Sequence, residues 1–412
     1  MNTIVERGCG LDIHKASVAA CVRTPGPDGR RVKETRTFGT TTQELLALRD
    51  WLAARGVTHV AMEATGVYGK PVYYVLEDQF QLLLVNAAHI KNVPGRKTDI
   101  LDCEWIAELL EHGLLRGSFV PPRPIRDLRD LTRARTALIQ DRTREVNRVH
   151  KVLQDAGIKL AGVATDILGV SGRAMLEALI AGVTDPGALA ELARGRLRKK
   201  RAALRAALEG RFREHHAFLL TKALPHIDHL DHTIEAYTAR IAAVIAPFAA
   251  AVERWDSLPG VDRRVAEVAV AEVGPDMAPF PSARHLASWA GMCPGNHESA
   301  GKRKRGKTRK GNRYLRAALV QAAHAAAHTR DCALAARFHH LRRTRGVKRA
   351  AVAVGHELLR IAYHLHVHDT TYRELGADYF RRRDKDRLVR RYCRQLERLG
   401  HRVTLEPAPM AA

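Results

Sequence analysis

The stretch Gly8-Cys9-Gly10-Leu11-Asp12-Ile13-His14-Lys15-Ala16-Ser17-Val18-Ala19-Ala20-Cys21-Val22-Arg23 decides how this chain is read. Two apolar runs, Cys9–Ile13 and Ala16–Arg23, flank the polar break His14-Lys15, which predicts two consecutive strands. Working outward, Val32–Thr37, His59–Glu63 and Gln81–Val85 predict three more strands. Helical periodicity covers Thr42–Arg55, Lys70–Asp78 and Thr98–His112. Strands in succession followed by strand–helix alternation imply a mixed α/β sheet, giving a first domain over residues 1–120.

Pro121-Pro122-Arg123-Pro124 marks a boundary. Beyond it, residues 125–255 are helical throughout. Leu128, Leu131, Leu138, Ile139, Val146, Val149 and Leu153 form an apolar stripe interrupted by Arg135 and Arg142, a weak heptad compatible with an antiparallel or dimeric coiled coil. A third region opens at Leu258-Pro259-Gly260 and runs over 256–368, with helices expected at Arg264–Val273, His285–Ala290, Asn312–His328 and Lys348–His366. Residues 369–412 read as a charged, peripheral tail. The fold class is therefore α/β plus all-α.

Lys and Arg number 68 against 44 Asp and Glu, a formal charge of +24. Such an excess favours a polyanionic partner, nucleic acid or an anionic membrane surface. The longest apolar runs, such as Ile241–Val252, are shorter than the roughly 20 residues that span a bilayer. Met1–Gly10 carries no apolar leader. A cytoplasmic protein without membrane contact is expected. The six cysteines are scattered with no CxxC pair, so reduced, packed thiols are expected rather than disulfides or zinc ligands.

Asp12 and Glu63 each end an apolar strand beside small residues, where carboxylates converge if the strands are sheet neighbours. Asp99 and Asp102 lie three residues apart at a helix start and share a face. Four such acids repel unless cations hold them, and hard oxygen donors suit Mg²⁺ or Mn²⁺. Two such ions assist phosphodiester displacement. The plainer alternative is a helix cap at Asp99 and an ordinary strand-end aspartate at position 12.

From Lys302 to Arg316 there are nine basic residues and no acid: Lys302, Arg303, Lys304, Arg305, Lys307, Arg309, Lys310, Arg313 and Arg316. Glycines among them allow close backbone approach to phosphate, and Asn312 is placed to cap the helix that follows. Such a basic loop reads as a nucleic-acid-binding surface. Ser299, at its edge, is either a bystander or a nucleophile, and no dedicated base stands beside it in sequence. Positions 194–213 hold nine basic residues and one acid, either a solvated face or a phosphate-facing arm. Leu258-Pro259-Gly260-Val261-Asp262 looks like half of a DNA-gripping helix-hairpin-helix, weakened by Asp262 where glycine is usual. His226, His229 and His232 recur every third residue and read as a solvated or interfacial face rather than a ligand set.

Taken together, these segments resemble the DEDD insertion-sequence transposases of the IS110 and IS1111 group, described as bridge-RNA-guided recombinases. The resemblance rests on GLDIHK around Asp12, MEATGVYG around Glu63, KTDILD around Asp99 and Asp102, then LPGVDRRVAEVAVAEVG, LASWAGMCPGNHESAGK and RKGNRYLRAAL. It implies a RuvC-like, ribonuclease-H-type first domain with Asp12, Glu63, Asp99 and Asp102 as its metal-binding acids. It implies that Ser299 is the nucleophile, forming a phosphoserine intermediate with DNA, in a mainly helical C-terminal transposase domain. It further implies DNA and a bridge-type non-coding RNA as partners, and homodimers assembling into a tetramer. Cys103 replaces a frequent alanine, which touches packing only. Two other functions stay open on the residues alone: a metal-only junction-resolving nuclease that uses water, and a non-catalytic nucleic-acid-binding scaffold.

Overall fold

The computed structural model describes residues 3–27, 30–86, 90, 102–295, 298–299, 301–303, 308, 310–383 and 385–406. The chain divides at Val120/Pro121 into two compact units.

In the first unit β1 (Gly8–Ile13), β2 (Ser17–Pro25), β3 (Arg31–Gly39), β4 (His59–Glu63) and β5 (Gln81–Val85) form one sheet in the order β3-β2-β1-β4-β5. The first three strands run antiparallel as a meander, and β1, β4 and β5 are parallel. Parallel neighbours need a crossover. The helices Thr42–Ala54 and Gly69–Leu76 supply the links from β3 to β4 and from β4 to β5.

Strand alternation sorts the two faces. Leu11, Ile13, Val60 and Met62 pack with Leu45, Leu48, Trp51, Leu52 and Val72 on one side. Ala61 and Val85 meet Trp105, Ile106 and Leu109 of the Asp102–Glu111 helix on the other. Gly10 lies on this second face. A Cβ there would overlap the Cys103 carbonyl oxygen and the Ala107 backbone nitrogen, so glycine is what lets the helix lie directly on β1. Five strands and three helices thus stand where the periodicity puts them, β4 and β5 with the same bounds, although residues 98–101 of the expected third helix lie outside the described residues.

In the second unit the 33-residue Arg123–Asp155 helix, about 50 Å long at 1.5 Å per residue, lies along Glu214–Ile245. The two run antiparallel. Asp155 meets His216, Glu145 faces His226 at 3.7 Å, and Arg142 pairs with Asp231. Val149, Leu153, Met175, Leu176, Leu204, Leu220 and Ile227 form a core between this pair and the short helices of residues 160–208. His226, His229 and His232 are exposed, as the sequence pattern predicts. The stretch Glu214–Asp256 is long and apolar enough by composition to cross a membrane. Here it carries ion pairs from Asp228 to Arg173 and from Asp231 to Arg142, as a helix packed within protein does.

Arg135 does not interrupt the apolar stripe as a solvated residue would. It is 1% exposed and paired at 2.8 Å with the equally buried Glu267 of the Arg263–Val273 helix. The helices Ala283–Trp289, Arg313–Ala326 and Val347–Val367 lie within two residues of their predicted starts and ends; a further helix, Ala333–Arg345, was not foreseen. Nor is the start of the tail peripheral. Tyr372 N–H donates to Ser257 Oγ at 3.0 Å, and the Glu374 carboxylate accepts from the Ala333, Leu375 and Gly376 amides. All six cysteines are free, and four are buried.

Candidate active site

Asp12 is the fifth residue of β1 and Glu63 the last of β4. The sheet register pairs Leu11 with Met62, so the two acids follow side by side at the carboxyl ends of neighbouring parallel strands. Leu11 and Met62 share one face. Asp12 and Glu63 therefore point to the other, the face covered by the Asp102–Glu111 helix.

The described part of that helix opens at Asp102, and the close approach at Gly10 holds Cys103 and Ala107 against β1 just before Asp12. The charge of Asp12 reaches it. The Cys103 thiol is pushed up to about 12, first by burial, then by Cys21, then by the Asp12 carboxylate. Asp12 and Glu63 thus stand at neighbouring strand ends, and Asp102 lies on the helix laid over the same face of the sheet, each at least partly open to solvent. His14 Nε2 lies 3.2 Å from Asp12 Oδ2. The Thr65 hydroxyl, two residues beyond Glu63, is buried with no hydrogen-bond partner among the described residues. Asp99 lies outside the described residues, and among those described no three such donors stand close enough to share an ion. The donor chemistry is that of a hard divalent cation, because every candidate is a carboxylate oxygen.

Ser299 belongs to the second unit. It ends β6 (Glu298–Ser299), which pairs antiparallel with β7 (Lys302–Arg303), Ser299 opposite Lys302. Two residues separate the strands. The second, Gly301, has φ 72°, a left-handed conformation that favours glycine and suits a tight hairpin. Lys304, Arg305, Lys307 and Arg309 lie outside the described residues, and Ser299, Lys302 and Arg303 are placed through their backbone alone.

The two ends of this basic segment are clamped together. Pro294 and Thr308 form an antiparallel bridge. Arg316 donates to Thr308 Oγ1 at 2.7 Å and to the Gly291 carbonyl at 3.4 Å, so its guanidinium braces the loop as well as adding charge. Gly311 passes so close to Ala290 and Gly291 that a Cβ would overlap their backbone. Asn312 then caps the Arg313–Ala326 helix, its Oδ1 accepting from the Tyr314 and Leu315 amides at 3.1 Å. Arg313 and Lys310 are exposed.

Periodicity gives no sign of what holds Asn312. Its Nδ2 donates to Glu272 Oε2 at 2.5 Å, and Glu272 is wholly buried. Arg133 grips the same carboxylate with two hydrogen bonds of 2.7 Å, while Arg129 binds the Ala271 and Glu272 carbonyls. A buried carboxylate with this many donors is fully compensated. It ties the Arg123–Asp155 helix to the residue where the basic segment becomes a helix. The readable signal was the acid inside an apolar helix, Val265–Val273, with no solvent face to occupy.

The Leu258–Asp262 turn does not offer its glycine to a phosphate. Gly260, at φ 77°, is packed against the backbone of Ala322 and Ala326. Asp262 accepts from Val265 N–H at 2.8 Å and so caps its helix, which accounts for an aspartate where a DNA-gripping hairpin would carry glycine.

Comparison with known families now bears on both units. A transposase family model of the DEDD type matches residues 9–158, and one described as "Transposase IS116/IS110/IS902 family" matches residues 252–340. Together they cover more than half of the chain, in the order in which the two sites occur. The chain belongs to this transposase family. A relative named "Probable family 20 transposase" from Pseudomonas aeruginosa is 26% identical over 333 residues, covering 79% of this chain and 89% of its own length. The transposase is thus an enzyme acting on DNA, and enzymes of the DEDD type typically use a divalent metal ion. Asp12 and Glu63 fall within the first matched segment and Ser299 within the second.

Proposed function

We propose that this transposase cleaves and rejoins the DNA of its own insertion sequence through a serine nucleophile, at sites selected by an element-encoded bridge RNA. The observation that supports the reading is the placing of Asp12 and Glu63 at the carboxyl ends of the neighbouring parallel strands β1 and β4, on the face over which the Asp102–Glu111 helix lies. The strand order and senses favour a RuvC-like, ribonuclease-H-type reading of the first unit. Asp12, Glu63, Asp99 and Asp102 are the residues that would hold Mg²⁺ or Mn²⁺. When bound, the cation supplies charge stabilisation for a phosphodiester displacement.

In the chemical step the Ser299 hydroxyl oxygen bonds to phosphorus while the bond from phosphorus to the 3′ oxygen breaks. The serine proton passes to a base, and the departing 3′ oxygen is protonated. The product is a phosphoserine and a free 3′ hydroxyl, with the phosphodiester energy retained for rejoining. Lys310, Arg313 and the other cations of the basic segment hold the DNA backbone. A homodimer that pairs into a tetramer is the assembly this reading expects.

The test is to incubate the protein with labelled element-end DNA, its flanking transcript and Mg²⁺, and to look for a denaturation-resistant protein–DNA adduct. The expected adduct disappears in Ser299→Ala while nucleic-acid binding persists. Cleavage with no adduct in the native protein would transfer the chemistry to water and the acidic cluster.

A further inference from the structure

The surface least explained by strand cleavage lies at the far end of the sequence. The Ala333–Arg345 and Lys385–Arg398 helices face each other across an open cleft of about 840 Å³. Arg337, His340, Thr344 and Arg345 line one wall, and Arg391, Arg394 and Arg398 line the other. The spacing is that of helix stripes: 337, 340 and 344 on the first, 391, 394 and 398 on the second. Leu341 and Leu388 also line the cleft, and among the described residues lining it there is no Asp or Glu.

Guanidinium groups collected with no Asp or Glu among the described lining residues repel one another. The fold tolerates this at the surface, and an anion relieves it. Arg337 adds an independent sign. Its Nε is buried without a hydrogen-bond partner among the described residues, while its guanidinium carbon sits 4.7 Å over the Phe380 ring. A planar cation fixed on an aromatic face is set in place before any ligand arrives.

We propose that this cleft is a second DNA-binding site, separate from the Ser299 segment, which takes the sugar–phosphate backbone of duplex DNA. The 14-residue Lys385–Arg398 helix is about 21 Å long. Duplex DNA presents a charge every 1.7 Å or so of its axis, roughly a dozen over that span. Apart from Leu341 and Leu388, the described lining is guanidinium, imidazole, hydroxyl and amide, with no Phe, Tyr or Trp among the described lining residues on which bases would stack, so the cleft holds the backbone and leaves sequence unread. DNA is chosen as the occupant because the chain is a transposase. The proposal needs neither the serine chemistry nor an RNA guide.

The experiment measures binding of the full-length protein to a 40-base-pair duplex of arbitrary sequence, without RNA, across a salt titration. The variants are Arg391→Gln/Arg394→Gln/Arg398→Gln and, separately, Arg337→Gln. Each phosphate contact contributes about 0.9 to the slope of log K against log salt. The triple variant is expected to flatten that slope by about 2 to 3 and to weaken binding at least tenfold at moderate salt, with an unchanged melting temperature. Arg337→Gln should flatten it by about 1. The corresponding triple lysine variant, which keeps the charge, should keep most of the slope. Ser299→Ala should leave the slope untouched, so a failed serine mechanism would not imitate a failed cleft. An unchanged slope on DNA in the triple glutamine variant overturns the proposal, whatever an RNA duplex of the same sequence shows.

Discussion

The acidic end of the first unit and the basic segment of the second are built on opposite plans. Asp12, Glu63 and Asp102 sit on regular structure, two strand ends and one helix, set by sheet register and by the contact at Gly10. The serine sits on a two-residue strand whose segment is secured at its ends, by Pro294 and Thr308, by Arg316, and by Gly311 followed by Asn312. One site rests on the register of regular elements, the other on a single backbone bridge, one close backbone approach and a few side-chain hydrogen bonds. Their sensitivities to mutation should therefore differ in kind.

The strongest challenge to this contrast is Glu272→Ala. It leaves the mostly buried Arg129 and the half-buried Arg133 without their shared carboxylate and removes the partner of the Asn312 amide. A loss of about 3–5 kcal/mol in the second unit is expected, read by urea unfolding followed at Trp255 and Trp289. A loss below about 1 kcal/mol would show that the basic segment has other anchors.

Gly10→Ala comes next. Its Cβ cannot be accommodated without moving the Asp102–Glu111 helix, so about 1–3 kcal/mol of the first unit's stability should go, together with DNA cleavage, while DNA binding is kept. Gly311→Ala is the matched experiment in the second unit and should lower cleavage through the serine segment alone. If Gly10→Ala cleaves normally, Asp102 does not act with Asp12.

The smallest effect is one of pH. Burial holds the His366 imidazole below its ordinary range, and the Arg254 charge adds to this; burial does the same for His356. Each group is then neutral in the folded chain at pH values where the unfolded chain has begun to bind a proton. Stability is complete above about pH 6.5 and is lost as pH falls through the depressed folded values. The melting temperature followed by Trp255 fluorescence, whose ring lies 5.8 Å from His366, should fall between pH 7.5 and 5.5. His366→Gln should reduce that dependence. A melting temperature that rises on acidification would contradict the assignment.

Much of the first unit was legible because its strands alternate cleanly and are bounded by polar breaks. The placement of Asp12 and Glu63 at strand ends followed from that pattern. Their adjacency did not, since periodicity carries no strand order. Gly10 was silent for the same reason: a glycine in a strand shows no sign of what will lie against it. In the second unit the pattern misled where charge is buried. Arg135 read as a break in an apolar stripe, whereas an ion pair with Glu267 takes it into the core. Ser299 carries no residue-level signal as a nucleophile; only the family resemblance singles it out. The tail looked detached because Ser257, which receives Tyr372, stands over a hundred residues earlier.

The long antiparallel helices of the second unit have a consequence for how such a chain can vary in length. Of their cross-links, Asp155 with His216 and Glu145 with His226 lie ten residues apart along both helices, and Arg142 with Asp231 follows within a turn or so on each. Adding one residue to either helix rotates everything beyond it by about 100° and takes each later pair out of phase. Removing seven from both shortens the arm by two turns, about 10 Å, and returns the pairs to within roughly 20° of alignment. The reach of the arm is accordingly quantised, and relatives with shorter or longer arms should differ by heptads rather than by single residues.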